Sequence, residues 1–120
     1  MPTKASVVQG FFARFGMPAY ATEAPEGAEP PYIVYAPADG AWGQVTSIPA
    51  DVWLRTDSEA AANAKAAEVS KAVGLGGLLL ACDGGAVWIR RGSPWCQAVE
   101  CEPGLKRRRL NIDIEHATEY

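Results

Sequence analysis

The second half of the chain alternates short apolar segments with tight turns, and this pattern most constrains the fold. Turn-forming runs rich in Gly, Pro, Asp and Ser occupy residues 83–85, 92–94 and 103–104. Strands joined by such short turns pair antiparallel, because a parallel pair needs a longer crossover. The turns separate segments rich in apolar, β-branched and aromatic residues, which favour strands. The sequence therefore predicts four antiparallel strands, over residues 78–82, 86–91, 95–101 and 105–115.

Two helices are predicted, one at the start of the chain and one in its middle. Thr3 is placed to cap a helix that runs to about Phe15, where apolar residues recur at helical spacing and Gly16 follows as a stop. Residues 56–59 have the sequence Thr-Asp-Ser-Glu, which is a capping box. An alanine-rich helix should follow it to about Val73. Because its side chains are small, this helix can lie close against a sheet.

The segment between the helices predicts further strands and one long loop. Residues 32–36 form an aromatic, β-branched strand, and residues 41–47 are expected to return as an edge strand. Residues 48–55 alternate apolar side chains with polar ones, and Trp53 lies on the polar side. Residues 21–31 are acidic and have no periodicity, which indicates a surface loop.

The order of these elements favours an α+β fold, with one twisted antiparallel β-sheet and two α-helices packed on one face. Apolar residues make up 48% of the chain and charged residues 21%, as in an ordinary globular domain. We therefore expect a single domain over residues 1–120. No apolar segment follows Lys4, and no apolar run approaches the length that crosses a bilayer. Neither a signal peptide nor a membrane partner is expected.

The residues that carry most enzyme chemistry are scarce in this chain. His116 is the only histidine, and its place near the C-terminus predicts an exposed tail residue and not a catalytic base. The three cysteines, at 82, 96 and 101, lack the close spacing of a zinc site and are expected to be reduced thiols. The glycine runs at 74–77 and 83–85 do not open a helix after a strand, so they are not phosphate-binding loops. We predict no catalytic, metal or cofactor site, no small-molecule substrate and no enzyme activity.

Charge is unevenly distributed along the chain. The formal net charge is −3, but residues 1–60 carry −4 and residues 90–109 carry +4. The basic run at 106–109 and the nearby Trp95 suggest a nucleic-acid-binding or regulatory module as one alternative. The acidic overall charge, together with the alternation of side chains along a strand, favours a solvated strand end instead. The basic residues of this region are Arg90, Arg91, Lys106, Arg107, Arg108 and Arg109.

Five segments of the chain, taken together, form a distinctive combination. They are the N-terminal helix, the Tyr-x-x-Tyr strand at 32–35, the alternating strand before the capped helix, Gly-Ser-Pro-Trp-Cys-Gln at 92–97 and Arg-Arg-Arg-Leu-Asn-Ile at 107–112. This combination resembles the small tail proteins of long-tailed bacteriophages and prophages, namely the tail terminator or tail completion family. The likeness covers nearly the whole chain.

The resemblance implies a structural role without an active site. In that family the subunit is an α+β domain that assembles as a ring, commonly a hexamer, at the head-proximal end of the tail. It implies contacts with tail-tube and neck proteins, and a place in the virion tail after assembly in the bacterial cytoplasm. A head–tail connector subunit of the neck has similar size and composition and remains an alternative.

A candidate subunit interface follows from the closing strand. If Ile112 and its apolar neighbours face the helices, Arg107, Arg109 and Asp113 point the other way. That row is positive at one end and negative at the other, which suits a head-to-tail contact in a ring. Trp53 is a large aromatic on an otherwise polar sheet face, where such residues often mark contacts. We expect charge reversal at both arginines to weaken self-association and to leave the melting temperature nearly unchanged.

Overall fold

In a computed structural model, which describes all 120 residues, two helices lie on one face of a six-stranded sheet. Helix α1 is Lys4–Phe12, and Thr3 caps it by accepting a hydrogen bond from the amide of Ser6 at 3.1 Å. Helix α2 is Glu59–Val73. Its cap is Ser58, because the predicted box residue Thr56 instead accepts a hydrogen bond from the Ser58 amide. Both predicted helices are present, although α1 ends three residues before Phe15.

The fold class predicted from the sequence is confirmed, with one difference in the sheet. All neighbouring strands pair antiparallel except the first two, which are parallel, so the sheet is mixed. The sequence does not predict the first strand, because this strand has only three residues and lies directly before the acidic loop. The strands are β1 (Ala19–Ala21), β2 (Tyr32–Tyr35), β3 (Val45–Leu54), β4 (Leu78–Cys82), β5 (Gly85–Val99) and β6 (Lys106–Thr118), in the spatial order β1-β2-β3-β6-β5-β4.

In two places, a pair of strands that the sequence predicts separately is one continuous strand in the structure. Residues 41–47 and 48–55 contribute to β3, and the segments on either side of residues 92–94 form β5. The expected turn at 92–94 is a bulge: Arg91 pairs with Ile112 and Cys96 with Leu110, so β5 holds three extra residues there. A side chain on Gly92 would place its Cβ 2.8 Å from a backbone oxygen of β6, so glycine permits this close approach.

The core fills the space between the helices and one face of the sheet. Phe11 and Phe12 of α1 and Val69 of α2 are buried against the sheet. Ile112 is fully buried in the centre of β6, as predicted. Helix α2 can approach closely because Ala66 and its neighbours are small. The opposite face of the sheet carries no helix and is termed the open face. Neither helix has the length and apolar character needed to cross a bilayer.

Candidate interaction surface

Strand pairing places an aromatic band at one end of the open face. Tyr32, Trp53 and Arg107 lie in one row across β2, β3 and β6. The Arg107 guanidinium lies over the Trp53 ring, 4.7 Å from its centroid. The Tyr32 ring is 6.3 Å from that of Trp53, and Tyr20 on β1 is 5.8 Å from Tyr32. These four residues, Tyr20, Tyr32, Trp53 and Arg107, are termed the aromatic end. A cation above an aromatic ring is attracted to the ring face. Aromatic rings at these centroid distances also attract one another.

Asp51 fixes the two arginines of the predicted interface. Arg107 donates to Asp51 Oδ2 through Nε at 3.0 Å and Nη2 at 2.5 Å. Arg109 donates to Asp51 Oδ1 through Nε at 2.9 Å and to Oδ2 through Nη2 at 3.1 Å. Burial by itself raises the pKa of Asp51, but the hydrogen bonds and charges of Arg109 and Arg107 outweigh it and lower the pKa below its usual value. Asp51 therefore stays ionised, and it holds both guanidinium groups in place.

This pairing overturns the expectation that Arg107 and Arg109 can be reversed without loss of stability. Asp51 is only 8% exposed, so two glutamates beside it would leave three carboxylates close together. The sequence places Asp51 on the polar side of its strand, next to Trp53. Only the register between β3 and β6, which sets Asp51 opposite Arg109, brings the three side chains together.

Acidic side chains occupy the other end of the open face. Ser47 donates a hydrogen bond to Asp113 at 2.5 Å, and Glu115 forms a 3.2 Å ion pair with Arg90. The Arg90 guanidinium lies over Trp88, 4.3 Å from the ring centroid. Two exposed apolar residues, Val45 and Leu79, flank Glu115 and Trp88 in the same row. Asp113, Glu115, Arg90 and Trp88 are termed the acidic end.

The two ends differ in net charge even after their internal ion pairs are counted. Arg109 and Asp51 adjoin the aromatic end, so two arginines there face the single carboxylate of Asp51, whereas at the acidic end two carboxylates face Arg90. The formal charges are thus +1 and −1. Eight residues separate Arg107 from Glu115 on β6, which is about 26 Å at the usual strand rise. The predicted interface residues Trp53, Arg107, Arg109 and Asp113 all lie on this one surface. Arg107 contacts Trp53 directly, Asp51 joins Arg107 to Arg109, and Asp113 lies at the far end.

The remaining basic residues are largely neutralised by carboxylates. Arg108 faces the helices, is 5% exposed, and pairs with Glu59 at the start of α2. Lys106 pairs with the same carboxylate at 3.0 Å, and the hydrogen bonds of Lys106 and Arg108 hold the pKa of Glu59 below its usual value. Of the six basic residues in 90–109, Arg91 alone has no carboxylate partner, and it donates to the Ser70 hydroxyl at 2.9 Å.

His116 is not an exposed tail residue, which corrects the sequence prediction. It lies on β6 with its side chain 3% exposed, because the strand extends to Thr118. The Gly40 amide donates to its Nδ1 at 3.3 Å, and Asp39 Oδ1 lies 3.7 Å from its Nε2. Burial lowers the pKa of His116, Asp39 opposes this shift, and Lys4 adds to it. The neutral imidazole thus holds the loop between β2 and β3. The sequence signal for this position is the alternation of buried and open-face residues along β6. Continued two residues past Ile114, it places His116 on the buried face.

The structure groups no set of three or more His, Cys, Asp or Glu side chains close enough to hold a metal ion. Cys82, Cys96 and Cys101 are free thiols, as expected, and burial raises the pKa of the first two. Comparisons with protein-family models, curated proteins and solved structures gave no match. The surface features described above are therefore the basis on which a function can be proposed.

Proposed function

We propose that this protein is a virion structural protein of a long-tailed bacteriophage or prophage, a tail terminator or tail completion subunit. It assembles into a ring at the head-proximal end of the tail and catalyses no reaction. The observation that carries the proposal is the open face of the sheet, where an aromatic end of charge +1 and an acidic end of charge −1 lie about 26 Å apart.

Such a surface supports head-to-tail association of identical copies. In a ring each subunit offers one patch to a different patch on its neighbour, so unlike charges on one molecule can meet between two molecules. Complementary charges set the register and the encounter rate of a contact. Trp53 and Tyr32 add apolar area of the kind enriched in interfaces. Because Asp51 already fixes Arg107 and Arg109, little side-chain freedom is lost when a neighbour binds.

The pairing of the basic run supports self-association over nucleic-acid binding. Affinity for nucleic acid depends on cations that are free to neutralise phosphates. Lys106, Arg107, Arg108 and Arg109 all form ion pairs within the subunit. A nucleic-acid ligand would have to compete with Asp51 and Glu59 for these side chains. The same ring chemistry would serve a head–tail connector in the neck, so the station of the ring, with its tail-tube and neck partners, rests on the resemblance.

The proposal is tested by measuring the mass of the purified protein in solution. Light scattering over a wide range of concentrations, at low and high salt, should give a discrete oligomer that forms more readily at low salt. Asp113→Lys changes the net charge of the acidic end from −1 to +1 and should weaken this assembly. Glu68→Lys is the matched control, because Glu68 lies on α2, away from the open face, and forms only an exposed ion pair.

A chain that stays monomeric at every concentration, and binds duplex DNA with an affinity that falls steeply with salt, would contradict the ring proposal. That result would favour the nucleic-acid-binding alternative.

A further inference from the structure

The open-face residues of β6 are arranged so that the strand complements its own reversed copy. Arg109 and Asp113 lie two residues to either side of Asn111. Arg107 and Glu115 lie four residues to either side of it. Each arginine is thus matched by a carboxylate at the equivalent position beyond Asn111. Two copies of β6 laid face to face and antiparallel, with Asn111 over Asn111, therefore place opposite charges over one another.

The strands on either side of β6 show the same complementarity in their apolar residues. On β3, Trp53 lies at one end of the pattern and the exposed Val45 at the other. On β5 the order is opposite, with Val99 at the first end and Trp88 at the second. A reversed copy therefore sets a tryptophan over a valine on both sides of the charged strand.

The inner rows bring no like charges directly together. Asp51 on β3 would face Ser47 of the second copy, and Gln97 on β5 would face Arg90. Pro49, which lies on β3 in the central row, would face itself and carries no charge. No position of the three central strands thus opposes the contact.

The direction of the strands decides whether two open faces attract or repel. Sheets pack face to face about 10 Å apart with their strands nearly aligned, and the open face carries no helix that would block this approach. Two two-fold arrangements lay β6 over its copy. With the strands parallel, Arg107 and Arg109 would each face the same arginine of the second copy. The antiparallel arrangement pairs unlike charges instead.

We propose that two copies of the chain bind each other through their open faces, about a two-fold axis that passes over Asn111 and Pro49. In this face pair Arg107 meets the partner's Glu115, and Trp53 meets the partner's Val45. Every such contact occurs twice, because a two-fold interface brings residue i to j and residue j to i. The partner is thus a second copy of this chain, bound by charge complementarity and by aromatic contact.

The face pair and the ring use the two ends of the open face in different ways. In the ring the two ends of a subunit contact two neighbours, whereas in the face pair both ends contact one partner. A subunit cannot make both contacts at once, so the face pair is a form of the free subunit that has to open before the ring assembles. This regulatory role rests on the proposed ring function, whereas the pairing itself rests on the open face alone.

Position 49 tests the two-fold axis, because each copy there faces the same residue of its partner. Pro49→Glu sets two carboxylates opposite each other and should weaken dimerisation about tenfold at low salt, as measured by sedimentation equilibrium. Pro49→Ser is the matched control and should dimerise like the wild type. In a head-to-tail contact position 49 does not face itself, so the two variants should then assemble equally well. Thermal melting of both variants checks that the fold is kept.

Cross-linking locates the axis independently. In a background with Cys96→Ser and Cys101→Ser, a short bis-maleimide should join two copies of Pro49→Cys. Cys82 is 1% exposed and is left in place. Val45→Cys on the same strand is the control, because its two copies lie about 26 Å apart along the strands of the face pair and should not be joined.

Each outcome decides between the two proposals. A dimer that is weakened by Pro49→Glu and cross-links at position 49 supports the face pair, and if it never grows larger it counts against the ring. A larger oligomer that forms without cross-linking at position 49, and equally well in Pro49→Glu and Pro49→Ser, overturns the face pair and leaves the ring standing. A wild type that is monomeric at every concentration overturns both.

Discussion

The two faces of β6 satisfy their polar groups in different ways. On the helix face the buried row begins with Arg108 and ends near His116, and both bind groups from outside the sheet, Glu59 of α2 and the Gly40 amide. On the open face, Arg107 and Arg109 bind Asp51 on the neighbouring strand β3. Polar groups on the helix face therefore bind α2 and the loop between β2 and β3 to the sheet. Those on the open face are satisfied within the sheet, which leaves that surface available to a partner.

The two faces should differ most in how much stability is lost when a charge is introduced, and the largest loss is expected at the centre of β6 on the helix face. Ile112→Asp places an unpaired carboxylate in a fully buried site, at a cost of several kcal/mol against a total stability of roughly 5–15 kcal/mol. We expect a variant that is largely unfolded, or that unfolds at far lower urea, as followed by tryptophan fluorescence. Gln97→Asp, at an exposed position on the open face, should unfold close to the wild type. Equal midpoints for Ile112→Asp and the wild type would contradict the core assignment.

Removing the partners of Asp51 should give the next largest effect. The double variant Arg107→Met, Arg109→Met leaves a nearly buried carboxylate without its hydrogen bonds, which should cost about 2 kcal/mol at pH 7. The partial exposure of Arg109 keeps this figure low. The measurement is urea unfolding at pH 7 and at pH 4.

The pH dependence gives that variant a specific signature. In the wild type the lowered pKa of Asp51 contributes stability that is present above its ordinary pKa near 3.8 and is lost as the pH falls through the folded value. Without the arginines, burial raises the pKa of Asp51, so the variant regains relative stability as its carboxyl group protonates. If the difference in unfolding free energy between variant and wild type stays constant from pH 7 to pH 4, lost packing, and not the unpaired charge, causes the loss of stability.

The sequence predicts features that depend on local periodicity and misses those that depend on register. Strand alternation places Ile112 in the core and Trp53 on the open face, and both assignments are confirmed. The Asp51 pairing depends on how two strands more than fifty residues apart align, which no local pattern encodes. Residues 92–94 have the composition of a turn, yet β6 holds them in a bulge, so the tertiary context overrides a local signal.

A pH-dependent effect is expected at the far end of the helix face. The folded pKa of His116 is lowered by burial, so its neutral form contributes stability that is present above the ordinary pKa of about 6.5 and is lost as the pH falls below it. Asp39 and Lys4 face the imidazole, and Tyr35 lines the same pocket. The free energy of unfolding should fall between pH 7.5 and 5.5 in the wild type and stay flatter in His116→Gln. No other histidine contributes in this range. Parallel pH profiles for the two proteins would contradict this role.

The smallest effect is expected at Arg108, although this arginine is the most buried of the run. Arg108→Met leaves behind Glu59, whose side chain is 64% exposed and which keeps Lys106 as a partner. Water can solvate that carboxylate, and methionine retains apolar contact with α2, so the variant should lie within about 1 kcal/mol of the wild type. The stability lost when an ion pair is broken thus depends on the burial of the partner that remains. That partner is the nearly buried Asp51 on the open face, and the exposed Glu59 at the start of α2. Urea unfolding of Arg108→Met beside the Arg107, Arg109 double variant compares the two. An equal loss of unfolding free energy in Arg108→Met and in the double variant would contradict this expectation. It would show that the ion pair with Glu59 stabilises the packing of α2 as strongly as the arginine pairs of Asp51 stabilise the open face.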